Sequence, residues 1–325
     1  MVLSFQGNTM GTQYRVKIVT PTLDEDAHAK VDGEILSSLE MVNATMSTYK
    51  KDSELSQFNR HDGQSPFPLS KHSQTVFSEA QRISELSRGA FDITVGPLVN
   101  AWGFGPDEPA TPPSEETLQS LKDIVGHKKL VLEGENLNKK NGGVQCDLSA
   151  IAKGYAVDLV AEKLMSLGFE NFMVEVGGEV TTRGRRLDGR IWRIGIEKPD
   201  AHGRAVQRAV PLDNMALATS GDYRNYREID GKRFSHILDP RTGQPIENRV
   251  ASVSVIHPSC MTADALATAF SVMGFEDSMA IAQRDKLAAI FLLRGDSDTF
   301  EEHRTPAAEK ILELLKSPQS PQADP

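Results

Sequence analysis

Apolar and polar positions alternate over Gln13-Tyr14-Arg15-Val16-Lys17-Ile18-Val19, the period-two pattern of a half-buried strand. Beyond it the period lengthens. Val31, Ile35, Leu39 and Val42 recur at helical spacing and predict a helix from about Asp24 to Met46, after which Met46-Ser47-Thr48-Tyr49 runs into a loop. Gly63 and two prolines between His61 and Pro68 predict another loop. A second helix is expected over roughly Ser73 to Ser87, stopped at Gly89 by a left-handed cap. Ala101 to Ser114, rich in Pro and Gly, reads as a long surface connection, and from there strands are expected to alternate with helices to about Leu293. The stretch from Ser317 to Pro325 is too polar and proline-rich to pack, which predicts one domain over residues 1–316 and a disordered tail over 317–325.

Composition narrows the function classes. A chain of 325 residues with 39% hydrophobic content can bury an ordinary globular core, which excludes disordered, collagenous and disulfide-scaffold classes. Its 36 Lys+Arg against 45 Asp+Glu leave a net charge of −9, so no basic excess is available for nucleic acid, and a phosphate-bearing substrate would need a metal or a few placed cations. Cys146 and Cys260 form no Cys-x-x-Cys pair, which excludes a zinc ribbon or thioredoxin-type centre and leaves one disulfide or two separately buried thiols open. The longest apolar runs, such as Ala288 to Leu293, are far short of the ~20 residues of a membrane span. Met1 to Gly7 lacks the basic start and long apolar core of an export signal, so the protein is either cytoplasmic or targeted by a segment outside this sequence.

Two segments can carry chemistry. In Cys146 to Asp158, apolar residues at 148, 151, 152, 155 and 159 make one face of a helix running to Gly168, with Asp147 or Ser149 at its N-cap. A helix start suits an anion, and Lys153 can reach back to it; the same pattern also describes a capped core helix with a solvated lysine. Asp147 suits a sugar hydroxyl or a base edge rather than a phosphate. Gly154 costs about 1 kcal/mol against Ala inside a helix, which points to close packing or a close ligand. In the second segment Thr262 is the expected N-cap, and Asp264 and Thr268, four apart, share one face. That pair either coordinates a hard cation such as Mg²⁺ or simply makes an i,i+4 hydrogen bond. Between them His236 enters the turn Asp239-Pro240-Arg241-Thr242-Gly243, as a structural or a functional histidine. Thr219 to Tyr223 reads as a polar loop, and Gly177-Gly178-Glu179 as a close backbone approach or a tight turn. Phosphate-loop, dinucleotide-binding, nucleophile-elbow and His-Glu-x-x-His patterns are absent.

Taken together, the sequence resembles the ApbE family, the FAD:protein FMN transferases. The resemblance runs in order through Met10-Gly11-Thr12, Met46 to Tyr49 with Ser53 to Asn59, Ala90 to Leu98, Trp102-Gly103-Phe104, Asp147 to Gly154, Val176-Gly177-Gly178, His236 to Gly243 and Thr262-Ala263-Asp264. It implies an α+β fold of two subdomains around a FAD cleft, not a Rossmann-type sheet. It also implies an enzyme that uses FAD as substrate with Mg²⁺, places FMN on a Thr or Ser hydroxyl of another protein through a phosphoester, and releases AMP. The acceptors of such enzymes resemble membrane redox subunits with an Asp/Ser-Gly-x-Thr/Ser-Gly-Ala-Thr type motif. Family analogy puts the protein in the periplasm or on the outer face of the inner membrane, held there only through an export or lipid-anchor segment that this sequence does not show; a cytoplasmic location stays open.

Carried over by position, the resemblance implies flavin contacts for Met10 and Tyr49, with Tyr49 favouring transfer over hydrolysis. Ala90, Phe91 and Asp92 would line the nucleotide site, and Asp147, Lys153, His236 and Leu238 would also bind FAD. The metal would take the backbone oxygen of Ala150 with the side chains of Asp264 and Thr268. His236 is the expected base for the attacking hydroxyl and Asp239 its orienter. The alternatives are a Mg²⁺-dependent FAD pyrophosphatase giving FMN and AMP, and a flavin-binding carrier without turnover.

Overall fold

The computed structural model describes residues 1–105, 111–199, 206–222, 226–229, 232–296 and 299–315. A central sheet runs in the order β1 (Val2–Thr9), β2 (Thr12–Val19), β6 (Phe172–Val176), β7 (Glu179–Arg183), β10 (Ala216–Gly221), β15 (Val250–His257), β16 (Ala288–Arg294), β17 (Phe300–Arg304). Every neighbouring pair in it is antiparallel. A dinucleotide-binding Rossmann sheet is mostly parallel, so this topology excludes one and fits the α+β expectation. Smaller pairings surround it: β3 (Phe67–Pro68), β5 (Asn136–Lys139) and β4 (Leu130–Glu133) in one sheet, then the two-stranded ribbons β8 (Trp192–Glu197) with β9 (Val206–Leu212), β11 (Tyr226–Ile229) with β12 (Lys232–Ser235), and β13 (Leu238–Asp239) with β14 (Gln244–Pro245).

The helices are α1 (Glu25–Met46), α2 (Glu54–Arg60), α3 (Lys71–Leu86), α4 (Gly96–Ala101), α5 (Glu115–Lys122), α6 (Ala152–Ser166), α7 (Cys260–Met273), α8 (Phe275–Arg284) and α9 (Pro306–Glu313). Asp24 caps α1 by accepting from the Ala27 amide at 2.8 Å, and Val31, Ile35, Leu39 and Val42 form its buried stripe as the spacing predicts. At the end of α3, Gly89 takes φ +80° and donates to Ser84 O at 2.8 Å, the left-handed stop expected there. Helix α7 is apolar on nearly every side, with Ala263, Ala265, Leu266, Ala267, Ala269 and Phe270 all buried, so it sits inside the molecule between the sheet, α3 and α6. Asp264 is carried into the interior on this helix.

Several expectations are corrected. Helix α6 starts at Ala152, not near Asp147, because residues 148–151 form a turn and Ile151, in a non-helical conformation, precedes the first helical residue without a side-chain cap. Helix α7 starts at Cys260, and its cap is Ser259, whose hydroxyl accepts from the Thr262 amide; Thr262 itself is inside the helix. From Phe172 to His257 the described segments are strands and turns without an intervening helix, since antiparallel neighbours need only short reversals. Trp102, at the start of the expected surface connection, is buried, and residues 106–110 of that connection lie outside the described residues. The expected tail, 317–325, lies outside them as well. Cys146 and Cys260 are two separate buried thiols. Among the described residues no helix is long and apolar enough to cross a membrane.

Candidate active site

A cavity of 1620 Å³ opens beside the N-terminal end of α6, runs along the Asp264–Thr268–Val272 face of α7 and extends across β2, β10 and β8. Its deepest chemistry is a buried group of three charges. Lys153 Nζ lies 3.2 Å from Glu179 Oε1 and 3.5 Å from Asp264 Oδ1. Burial works against the Lys153 charge, but Asp264 and Glu179 outweigh it and raise the ammonium pKa, so the lysine stays protonated. Burial pushes Glu179 up to about 8, and its Oε2 has no hydrogen-bond partner. One ammonium between two buried carboxylates leaves one negative charge in excess, and Glu179, with its orphaned oxygen, is the group that takes a proton near neutral pH.

Gly154 explains how these groups come so close. A side chain there would press into the Cys260 carbonyl group and approach Asp264 Cβ to 2.8 Å, so only glycine lets α6 touch the first turns of α7. The Gly154 amide, one of the first-turn donors of α6 that have no acceptor within the helix, donates to Asp264 Oδ2 at 3.0 Å. Ala150 lies before the helix, its carbonyl accepts no hydrogen bond among the described residues, and the residue borders the cavity with Asp264 and Thr268. One carboxylate, one hydroxyl and one unengaged carbonyl make an all-oxygen donor set that fits a hard cation, which takes its remaining ligands from phosphates and water. No group of three His, Cys, Asp or Glu that could hold a metal occurs among the described residues.

The structure brings most of the other expected residues to the same cavity. Ala90, Phe91 and Asp92 are buried and border the cavity, as does Leu238, whose neighbour Ile237 packs with Ala90. The Asp92 carboxylate is spent on local structure. Its Oδ1 accepts from the Thr94 amide and hydroxyl at 2.8 and 2.7 Å, and Oδ2 accepts from the His127 amide. Asp147 borders the cavity, but its Oδ1 accepts from Ser149 N at 2.7 Å and so shapes the turn before α6 rather than capping the helix. Tyr49 is 70% exposed and borders the cavity. Met10, at φ +50° in the β1–β2 turn, lines a separate 390 Å³ hollow that shares Asn8, Thr12 and Gln13 with the main cavity.

His236 borders the cavity with its ring 6.4 Å from that of Phe104, edge to face. No hydrogen bond between His236 and Asp239 occurs among the described residues. Both Asp239 oxygens are engaged by Arg241, at 2.9 and 2.8 Å, and the Asp239 carbonyl accepts from Gly243 N at 2.8 Å, so this aspartate builds the turn. Trp102 Nε1 donates to Gly243 O at 2.8 Å and ties that turn to α4. Sequence reasoning missed Glu179 as an ionic partner, although a carboxylate directly after two glycines, at the start of a strand, is a usable signal. It also missed Asp158, which accepts from the amides of Cys260 and Met261 and from Ser259 Oγ, at 2.9, 3.0 and 2.8 Å, and so fixes the first turn of α7.

The family model of the ApbE family matches residues 10–291. The chain belongs to the ApbE family. It is 48% identical over 307 residues to the FAD:protein FMN transferase of Vibrio cholerae, spanning 94% of this chain and 91% of that protein. Against the protein of the same name from Haemophilus influenzae the identity is 45%, over 91% and 88% of the two chains. Solved ApbE structures superpose closely. The flavin transferase ApbE of Vibrio cholerae gives a TM-score of 0.88 at 46% identity over 96% and 99% of the two chains. The flavinyl transferase ApbE of Pseudomonas stutzeri, in its apo form, gives 0.86 at 40% identity over 96% and 97%. The resemblance carried by the motifs is thus a family relationship along nearly the whole chain, and the charged cluster of this ApbE chain sits within the matched region.

Proposed function

We propose that this protein is a divalent-metal-dependent FAD:protein FMN transferase, which moves FMN from FAD to a Thr or Ser hydroxyl of an acceptor protein and releases AMP. The observation that carries the metal-dependent chemistry is that Ala150, whose carbonyl accepts no hydrogen bond among the described residues, borders one cavity with Asp264 and Thr268. A hard divalent cation, when bound there, supplies the positive charge that a diphosphate needs before it reacts, which the acidic chain otherwise lacks. Mg²⁺ suits that donor set.

The chain's own residues do the rest. Lys153 keeps a permanent positive charge at the wall of the site and holds Asp264 in place from one side, while the Gly154 amide holds it from the other. Ala90 and Phe91 give the nucleotide an apolar wall, and Tyr49 borders the same cavity with an aromatic ring. His236 accepts the proton of the acceptor hydroxyl as its oxygen attacks the FMN phosphorus. The bond from that phosphorus to the AMP oxygen breaks, and AMP leaves with the electron pair. Positioning and electrostatics account for most of the rate in such transfers. An acceptor outside the cytoplasmic membrane, carrying an Asp/Ser-Gly-x-Thr/Ser-Gly-Ala-Thr type motif, is the partner that family analogy supports.

The test mixes the protein with FAD, Mg²⁺ and a carrier protein bearing an Asp-Gly-x-Thr-Gly-Ala-Thr tag, and takes the intact mass of the carrier. A gain of one FMN phosphoester, lost when the tag threonine is alanine, is the expected result. An unmodified carrier with FMN and AMP accumulating would make the enzyme a FAD pyrophosphatase, and intact FAD would reduce it to a carrier.

A further inference from the structure

Among the described residues the β8–β9 ribbon is separate from the central sheet, and β8 pairs with β9 alone. Among the described residues no backbone hydrogen bond reaches the other edge of β8. The ribbon is nonetheless held firmly: Trp192 packs with Met173 and Val180 against the outer face of the sheet, and its Nε1 donates to Arg183 O at 3.2 Å. Arg193, Ile194, Gly195, Ile196 and Glu197 all border the cavity. Successive side chains of a strand point to opposite faces, so five consecutive residues meet one cavity when the backbone edge itself faces it. Gly195 at the middle is exposed, and the nearest atoms to a Cβ there would be those of Val206 of β9, at 3.2 Å and beyond. Native sheets usually block such an edge with proline, lysine or a covering loop, and residues 192–197 contain neither proline nor lysine.

Charge points the same way. Around the ribbon, Arg185 pairs with Asp213, Arg186 with Asp188 and Arg208 with Glu302. Arg183, Arg190 and Arg193 are exposed and have no carboxylate partner among the described residues, in a chain of net charge −9. A cavity of 1620 Å³ also exceeds the ~300–1,000 Å³ that a single small ligand fills. We propose that the free edge of β8 receives an extended segment of the acceptor protein as an added strand, with acidic side chains of that segment meeting Arg190 and Arg193. This rests on the transferase reading above and says where the polypeptide, rather than the flavin nucleotide, is held. Main-chain pairing supplies affinity for many acceptor sequences, and the arginines select among them.

Hydrogen–deuterium exchange on the unaltered enzyme tests it, using the tagged carrier with acidic residues added beside the tag. Exchange at 193–197 is expected to slow at least fivefold with carrier and not with FAD alone. Gly195→Pro is expected to raise the carrier KM tenfold or more, and Arg190→Glu severalfold. Protection by FAD alone, or unchanged exchange with carrier while the unaltered enzyme transfers FMN, overturns the docking and leaves the transferase standing. A carrier KM within twofold of the parent in both variants overturns it too. An unaltered enzyme that modifies no carrier overturns the transferase reading, and the docking falls with it.

Discussion

A Cβ added to Gly154 would stand 2.7 Å from the carbonyl carbon of Cys260 and closer still to its oxygen. This contact sets the separation of α6 and α7. The intrinsic cost of glycine in a helix, about 1 kcal/mol against alanine, is offset by what the approach permits. It lets a first-turn amide of α6, which has no acceptor within its own helix, reach the Asp264 carboxylate on α7.

Gly154→Ala tests that geometry directly. The added methyl meets backbone, which cannot swing away as a flexible side chain could, so the helices must part. Overpacking of this kind costs about 1–3 kcal/mol. Thermal unfolding should show a modest loss, while FAD turnover should fall much further because Asp264 moves with α7. A variant with parental melting temperature and parental turnover would show that the close approach does not matter.

Asp264→Ala removes the one carboxylate of the donor set and strips the Gly154 amide of its acceptor, while Lys153 keeps Glu179. Metal-dependent turnover is expected to disappear. Titration of Mn²⁺ followed by its paramagnetic resonance signal, with FAD present, should show lost binding in a still-folded protein. Normal turnover in this variant would remove the metal from these residues.

Much of this site is legible in the sequence alone. The 3.6 period finds α1 and the apolar character of α7, and the ordered motifs locate most of the cavity wall. Helix starts are not legible at α6 and α7, because Asp147 is spent on a local turn at Ser149 and Ser259 outcompetes Thr262 as a cap. A local contact of the same kind is equally hidden at Asp239, where Arg241, two residues on, binds both of its oxygens. The Lys153–Glu179–Asp264 cluster joins three distant parts of the chain, and no local pattern encodes a contact of that range. Nor does local propensity say that Phe172 to His257 stays in strands, since pairing partners decide it.

His257, the last residue of β15, makes stability pH-dependent. Burial lowers its pKa below the ordinary 6.5, against the opposing pull of its contact with the Ser259 backbone, whose amide and carbonyl lie 3.1 and 3.2 Å from Nδ1. Glu79 and Arg82 from α3 and Asp158 from α6 are the charges that face it. Below 6.5 the unfolded chain binds a proton that the folded chain resists, so stability is lost as pH falls from about 6.5 through the folded pKa. Asp158, raised by burial, acts in the opposite sense, losing stability as pH rises through its own range. The melting temperature of His257→Gln should therefore change less than that of the parent between about pH 7 and pH 5. Parallel curves would assign the acid sensitivity elsewhere.

The sharpest chemical prediction concerns His236. Its ring borders the cavity at the entry to a turn that Asp239, Arg241 and Trp102 hold rigid, so removing the imidazole leaves the surrounding wall in place. A general base contributes about 10²–10⁴ in rate, and His236→Ala is expected to slow transfer by that much while FAD still binds. Flavin fluorescence quenching reads the binding and carrier mass the transfer, so the two are measured separately. Loss of binding with little change in the rate of the bound complex would recast His236 as a phosphate contact. If transfer in the variant recovers as pH is raised, the acceptor hydroxyl is then losing its proton to solvent hydroxide in place of the ring. That recovery distinguishes a missing base from a missing positive charge, because no rise in pH restores a lost cation.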